Sequence, residues 1–206
     1  LISVEGLDGT GKTTVCAALE PRLRARGVEV LRLREPGGTE LGERVRGLLA
    51  DPSRSLSARA ELLLFAAARA ELVEGVVRPA LGAGSWVLLD RFVDSTLAYQ
   101  GAGRELGDAV ARAANDLATD GLRPDRTLLL RAAPEVRAAR LDARGEAADR
   151  LERSGVEMFA RTQARYDALL EEEPARVRAI DASGSPEQVA DLAWAATVDL
   201  LEPAAA

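Results

Sequence analysis

The run ISVEGLDGTGKTT constrains this chain more than any other: an apolar strand-like stretch, a glycine-rich turn, then the first residues of an amphipathic helix. Gly6, Gly11, Lys12 and Thr13 satisfy the pattern G-x-x-x-x-G-K-[ST] in the strand-to-helix context that gives it physical meaning. Glycines let backbone N–H groups curl around phosphate oxygens, and the helix N-terminus adds partial positive charge. Lys12 in such a loop neutralises the β and γ phosphates and Thr13 ligates magnesium. Gly6, Leu7, Asp8, Gly9, Thr10, Gly11, Lys12, Thr13 and Thr14 are therefore the candidate residues for binding ATP and Mg2+.

Lys12 stands out further as the only lysine in a chain with 27 basic residues. The excess of arginine and alanine fits a genome-wide composition bias. Against that background a retained lysine points to a task for a compact ammonium that a planar guanidinium cannot do.

Short β-rich runs alternate with helical patterns along the whole chain. LISVE precedes a helix from about Thr13 to Arg26, where Val15, Ala18, Leu19 and Leu23 recur at helical spacing and Gly27 supplies a stop. VEVLRL precedes helical segments over roughly Leu41 to Leu81, and WVLLD precedes helical stretches to about Asp120. RTLLLRA leads into PEVRAARLDARG, and ARVRAID into a C-terminal helix from about Pro186. Five strands alternating with helices predict a three-layer α/β fold with a parallel sheet covered on both faces. No repeat, low-complexity block or linker divides residues 1–206, so a single domain is expected, with EPAAA as a frayed tail. Because residue 1 already lies in a strand-like run, a native start or a preceding segment is expected to be missing from it.

Composition narrows the partners. One cysteine, Cys16, permits neither an internal disulfide nor a thiolate metal cluster and suits the reducing cytoplasm. No run of about 18 apolar residues suggests a membrane span. A net charge of -6 argues against a nucleic-acid polymer as the ligand, while a local arginine cluster still suits a small anion.

Asp90 closes the apolar run WVLLD, at the strand end where ligands gather in open α/β sheets. It is the candidate acid for the magnesium hydration shell, although an aspartate after a strand also serves as a helix cap. A guanine-reading GTPase needs an N-K-x-D element, which a chain with no lysine beyond Lys12 lacks. Histidine is absent, so a His general base is excluded.

Several stretches together, GLDGTGKTT, REPGGTELGERVRGLL, LLLFAAARAE, LLDRFVDSTLAYQGAGR and DARGEAADRLERSGVEMFARTQARY, resemble bacterial thymidylate kinases in order and spacing from Leu1 to about Ala182. The resemblance implies a P-loop kinase fold, phosphorylation of dTMP to dTDP, and a homodimer packed through helices beside the substrate site. It further implies that Asp8 receives the sugar 3′-hydroxyl, that Phe65 stacks on thymine, and that Arg69, one helical turn on, binds the edge of the base. Arg46 and Arg91 match arginines that grip the acceptor phosphate, a task suited to bidentate forks. Ser95 and Thr96 fall where the family reads the base, Tyr99 where a phenol selects deoxyribose, with Gln100 beside it. Glu35 and Pro36 match a turn beneath the acceptor.

The same resemblance makes residues from about 140 to 153 a mobile lid. The loop positions Leu7 to Thr10 carry no arginine, and the family subtype of that kind draws its catalytic cation from the lid. Arg144 and Arg150 are the candidates, Arg140 next. Adenine is expected between the lid helix and DASGS. Two other readings remain: a P-loop kinase for a different small acceptor, with Glu35 as base for a hydroxyl, and a nucleotide-binding module without catalysis.

Overall fold

The computed structural model describes residues 1–145 and 149–201. Positions 146–148 of the expected lid and the terminal EPAAA lie outside the described residues.

Five parallel strands form one sheet in the order β2-β3-β1-β4-β5. They are β1 (Ile2–Glu5), β2 (Val30–Arg34), β3 (Trp86–Asp90), β4 (Arg126–Arg131) and β5 (Val177–Asp181), each within a run expected to be a strand except that β2 extends one residue past VEVLRL. Strand side chains alternate between faces. Ile2, Val4, Leu88, Leu128 and Ile180 therefore meet Val15, Leu19 and Leu23 of α1 (Lys12–Arg24) and Val189 and Ala193 of α9 (Pro186–Ala195). On the opposite face Leu129 and Val177 pack on Tyr166 and Leu169 of α8 (Val156–Glu172), and Val87 and Leu89 on Val73 and Val77. Each such fully buried aliphatic side chain contributes about 1.5–3 kcal/mol. With both faces covered, the strands read as nearly continuous apolar runs, as parallel strands do.

Ser3 and Glu5 break that rule. They point to the α8 face and are fully buried, so each needs partners. Ser3 Oγ lies 2.8 Å from Thr127 Oγ1. Glu5 accepts hydrogen bonds from Phe92 N at 2.7 Å, Ser95 Oγ at 2.5 Å and Tyr166 Oη at 2.8 Å.

The helical region after β2 divides into α2 (Glu40–Ala50), α3 (Ala58–Leu72), a π-type stretch Val73–Val77, and α4 (Arg78–Gly82). Thr39 starts α2 by accepting a hydrogen bond from Gly42 N, so the helix rises from the turn that follows Glu35 and Pro36. After β3 come α5 (Val93–Thr96), a π-type stretch Leu97–Gly103, and α6 (Asp108–Thr119). The wide turns place Tyr99 and Gln100 in the interior, a use of π geometry common near functional sites. α7 (Pro134–Arg144) forms where PEVRAARLDARG predicts it. α8 is the helix that the strand–helix alternation left unassigned, because it follows another helical segment with no strand between them.

Candidate active site

Parallel pairing fixes the site. Val4 of β1 is in register with Asp90 of β3, and Arg91 N donates to Val4 O at 3.0 Å, so the turns after both strands open side by side. Ligands collect at such carboxyl ends.

The first turn is the glycine-rich loop. Gly6 adopts φ +135°, and a Cβ there would lie 2.5 Å from Leu130 O. Gly9 adopts φ +82°, and a Cβ there would lie 2.7 Å from Arg137 O. Only glycine fits either position. Gly11, also at positive φ, passes the chain into α1, and Leu7 is buried beneath the loop. Thr10 Oγ1 donates to Leu7 O at 2.8 Å, and Lys12 Nζ reaches the same oxygen at 3.1 Å while lying 3.5 Å from Asp8 Oδ1. The loop is thus closed by its own backbone, with the ammonium folded inside. Burial lowers the Lys12 pKa and the Arg91 charge adds to this, while Asp8, Asp90 and Glu5 oppose it.

Asp8 to Thr14 line a cleft of about 560 Å³ that Arg140, Arg144 and Pro186 bound on the far side. That volume suits a small-molecule site, which typically spans about 300–1,000 Å³. Arg140 Nη2 donates to Gly184 O at 3.0 Å, joining α7 to the DASGS loop beside the cleft. Thr13 Oγ1 donates to Asp90 Oδ2 at 2.5 Å, so one hydroxyl and one carboxylate converge at the mouth of the loop. Two hard oxygens open to a polar cleft fit magnesium, which keeps several waters and takes its remaining ligands from substrate phosphates.

Arg91 links this cleft to a second, smaller pocket. It has φ 71°, rare for a non-glycine residue and a mark of functional strain. Its Nη2 lies 2.6 Å from Asp8 Oδ1 and 3.2 Å from Tyr99 Oη, and its Nη1 donates to Ser95 Oγ at 3.2 Å. Burial raises the Asp8 pKa, but Arg91 and then Lys12 outweigh it and hold the carboxyl well below the usual range. Asp8 is therefore an anion inside a loop built for anions, kept there by two cations.

The second pocket, about 110 Å³, is walled by Phe65, Thr96, Tyr99 and Gln100, with Pro36 and Arg46 at one side. Arg46 Nη1 donates to Pro36 O at 3.2 Å, and the Glu35–Pro36 peptide is cis. Glu35 lines both the cleft and the pocket. Burial raises its pKa against the pull of Arg69, and its Oε1 is buried with no hydrogen-bond partner among the described residues.

Arg69 and Arg150, both candidates by resemblance, are engaged with other residues of the protein. Arg69 is buried with all three nitrogens engaged: Nε donates to Glu35 Oε2 at 2.8 Å, Nη1 to Thr96 Oγ1 at 2.7 Å and Asn115 Oδ1 at 2.6 Å, and Nη2 to Phe92 O at 3.0 Å. It forms part of the pocket wall with its donors turned into the protein. Arg150 does not line the phosphate cleft; its Nη1 donates to Glu61 Oε2 at 2.7 Å, its Nε to Leu49 O at 2.8 Å, and its backbone N to Ala50 O at 3.1 Å. Arg144 does line the cleft, paired with Glu152 at 2.8 Å.

Sequence reasoning missed several supporting groups. Arg137 Nε donates to Asp8 O at 2.9 Å, Glu61 takes hydrogen bonds from Gln100 and Arg104, and Tyr166 meets Glu5. A charged residue in an otherwise apolar helix face, as at Glu61, was the one available signal. Nothing local marks Arg137 or Tyr166.

Two adjoining cavities thus share Asp8 and Arg91 in their walls, and comparisons with other proteins give the chain its family. A family model described as Thymidylate kinase matches residues 4–193. The thymidylate kinase of Chlorobaculum parvum is 46% identical over 197 residues, covering 92% of this chain and 91% of that protein. That of Synechococcus sp. strain JA-2-3B'a(2-13) is 50% identical over 195 residues, covering 94% and 91%. The crystal structure of the Ehrlichia chaffeensis thymidylate kinase superposes with a TM-score of 0.77 at 30% identity, covering 97% of this chain and 96% of that one. Agreement in sequence, in fold and across nearly the full length of each protein leaves one conclusion, that this chain belongs to the thymidylate kinase family.

Proposed function

We propose how this chain carries out the family's reaction, the ATP-dependent phosphorylation of dTMP to dTDP. ATP occupies the cleft, with its phosphates against the loop from Gly6 to Thr14, and dTMP occupies the adjoining pocket. The position of Arg91 carries the reading, since it lines both spaces and holds Asp8 between them.

The acceptor oxygen of a nucleoside monophosphate is already ionised at neutral pH, so catalysis reduces to aligning two anions and offsetting their repulsion. Lys12 would neutralise the donor phosphates from inside the loop. Arg91 and Arg46 would hold the acceptor phosphate, Arg91 close enough to the donor to steady the group in flight. Arg144 would add a third charge from the cleft's outer wall. Each preorganised donor of this kind contributes about 3–4 kcal/mol in the transition state. Thr13 and Asp90 would hold Mg2+, which supplies charge neutralisation on the donor phosphates.

Asp8 is the proposed partner of the sugar 3′-hydroxyl, Phe65 the stacking platform for the base, and Thr96, Gln100 and Arg69 the wall that frames its edge. Tyr99, its ring 4.9 Å under the Arg91 guanidinium, would crowd the 2′ position and favour deoxyribose. Ser95 is committed to Glu5 and Arg91, so its part is to hold the arginine. Glu35 and Pro36 form the turn beneath the acceptor.

The chain acts in this reading as a single domain with a mobile lid from about 140 to 153, whose closure excludes water and so suppresses ATP hydrolysis. It also acts as a homodimer. Leu63 of α3 and Val110 and Leu117 of α6 are 65%, 47% and 88% exposed on helices that pack against one another, an apolar face that suits a second copy. Sedimentation of the purified chain and of Leu117→Glu would show a dimer dissociating in the variant. The proposed location is the cytoplasm, where the buried Cys16 thiol persists. No helix among the described residues is long and apolar enough to cross a membrane.

ADP release measured with dTMP, dUMP, dCMP, dGMP and thymidine tests the whole reading. Turnover with dTMP well above the rest supports it; preference for thymidine over dTMP would replace it with a nucleoside kinase.

A further inference from the structure

We infer that Glu61 determines which pyrimidine the acceptor pocket takes, by fixing the side-chain amide of Gln100 with its oxygen toward the pocket. This rests on the reading of that pocket as the seat of the acceptor base. Glu61 is buried on α3. Its Oε1 accepts from Gln100 Nε2 at 2.9 Å and Arg104 Nε at 3.1 Å, and its Oε2 from Arg104 Nη2 at 3.0 Å and Arg150 Nη1 at 2.7 Å. Burial acts to raise its pKa, but the hydrogen bonds from Arg104, Gln100 and Arg150 lower it overall.

An ionised carboxylate has acceptors only, so Gln100 must turn its Nε2 toward it. The Gln100 side chain is buried, lines the pocket beside Phe65, and makes this one hydrogen bond among the described residues. Its carbonyl oxygen is the amide atom left for a ligand. A carbonyl there pairs with a ring N–H. Thymine and uracil carry that donor at N3, whereas cytosine carries a lone pair at the same place, which would face the oxygen with no proton between them. Glu61 is thus a positioning residue: it touches no ligand and acts through the amide it orients.

The test is Glu61→Gln. The two guanidinium donors at Oε2, against the single Arg104 Nε at Oε1, would hold the new amide's oxygen on their side, leaving its NH2 toward Gln100, which then rotates to offer its own NH2 to the pocket. The kcat/KM ratio of dTMP over dCMP should fall by about tenfold or more, since a site built to hydrogen-bond a ligand discriminates strongly when that bond is lost. A merely structural role would lower both substrates together. A folded variant that keeps the ratio within about twofold overturns the inference. Calorimetry on the wild-type protein gives an arm independent of the variant's folding. There 3-N-methyl-dTMP should bind at least about 100-fold more weakly than dTMP, and equal binding overturns the inference. Failure of the wild-type protein to bind dTMP at all would instead sink the functional reading beneath it.

Discussion

Arg91 Nη2 sits 2.6 Å from Asp8 Oδ1, so the residue that follows β3 is clamped to the middle of the loop that follows β1. The proposed donor and acceptor sites therefore share one joint. Glu5 reinforces it from below, accepting from Phe92 N and Ser95 Oγ, both just after the strained φ of Arg91.

Replacing Arg91 by lysine keeps the charge and loses the fork. One ammonium cannot contact Asp8, Ser95 and an acceptor phosphate together. Arg91→Lys should lower kcat by about 100- to 1,000-fold, the usual cost of removing one transition-state donor. ATP affinity, measured by calorimetry, should change far less, because in the proposed reading the loop holds the donor phosphates.

The lone lysine makes the reciprocal case. Lys12 is 7% exposed, and its Nζ is enclosed by Leu7 O and Asp8. A guanidinium is wider than that space. Lys12→Arg should therefore cost about 100-fold or more in kcat despite equal charge, with melting temperature close to that of the wild type. Full activity in the arginine variant would leave composition bias without its exception.

Glu5 should make stability depend on pH. Burial and the neighbouring Asp94 push its pKa from 4.5 to about 7, against the pull of Arg91. Between these values the native state binds a proton that the unfolded chain has released, so this group's stabilisation is full below pH 4.5 and is lost as pH rises through about 7. The loss amounts to about 3 kcal/mol. Urea denaturation at pH 5 and pH 8 should show that slope in the wild type and not in Glu5→Gln. Asp8, with its lowered pKa, acts in the opposite direction and at lower pH, so the two effects separate.

The sheet and the donor loop were legible in the sequence because both are local. Strand alternation and the spacing of Gly6, Gly11, Lys12 and Thr13 lie within a few residues of one another. Asp90 was legible as the acid closing an apolar strand and Arg91 through the resemblance, and register then explains both, since Val4 pairs with Asp90. The supporting groups were not legible. Arg69 draws its partners from Glu35, Thr96 and Asn115, and Glu5 from Ser95 and Tyr166, across separations that no pattern in one sequence records. Burial is what turns these residues into networks, because each polar group removed from water must find a partner.

Arg144 and Arg150 of the proposed lid give the sharpest division of labour. Arg144 lines the phosphate cleft, where Glu152 holds its Nη2 at 2.8 Å, whereas Arg150 reaches Glu61 and the backbone of Leu49 and Ala50 beside the acceptor pocket. Removing charge next to the transferred group lowers kcat, whereas loosening the wall of the acceptor pocket weakens binding of the acceptor. Arg144→Ala should thus reduce kcat by about 100-fold with little change in KM for dTMP. Arg150→Ala should raise KM for dTMP by about tenfold or more, the effect of losing one or two charge-assisted hydrogen bonds, with a smaller fall in kcat. Steady-state kinetics on both variants decides the assignment, and the reverse pattern would make Arg150 the lid's catalytic cation.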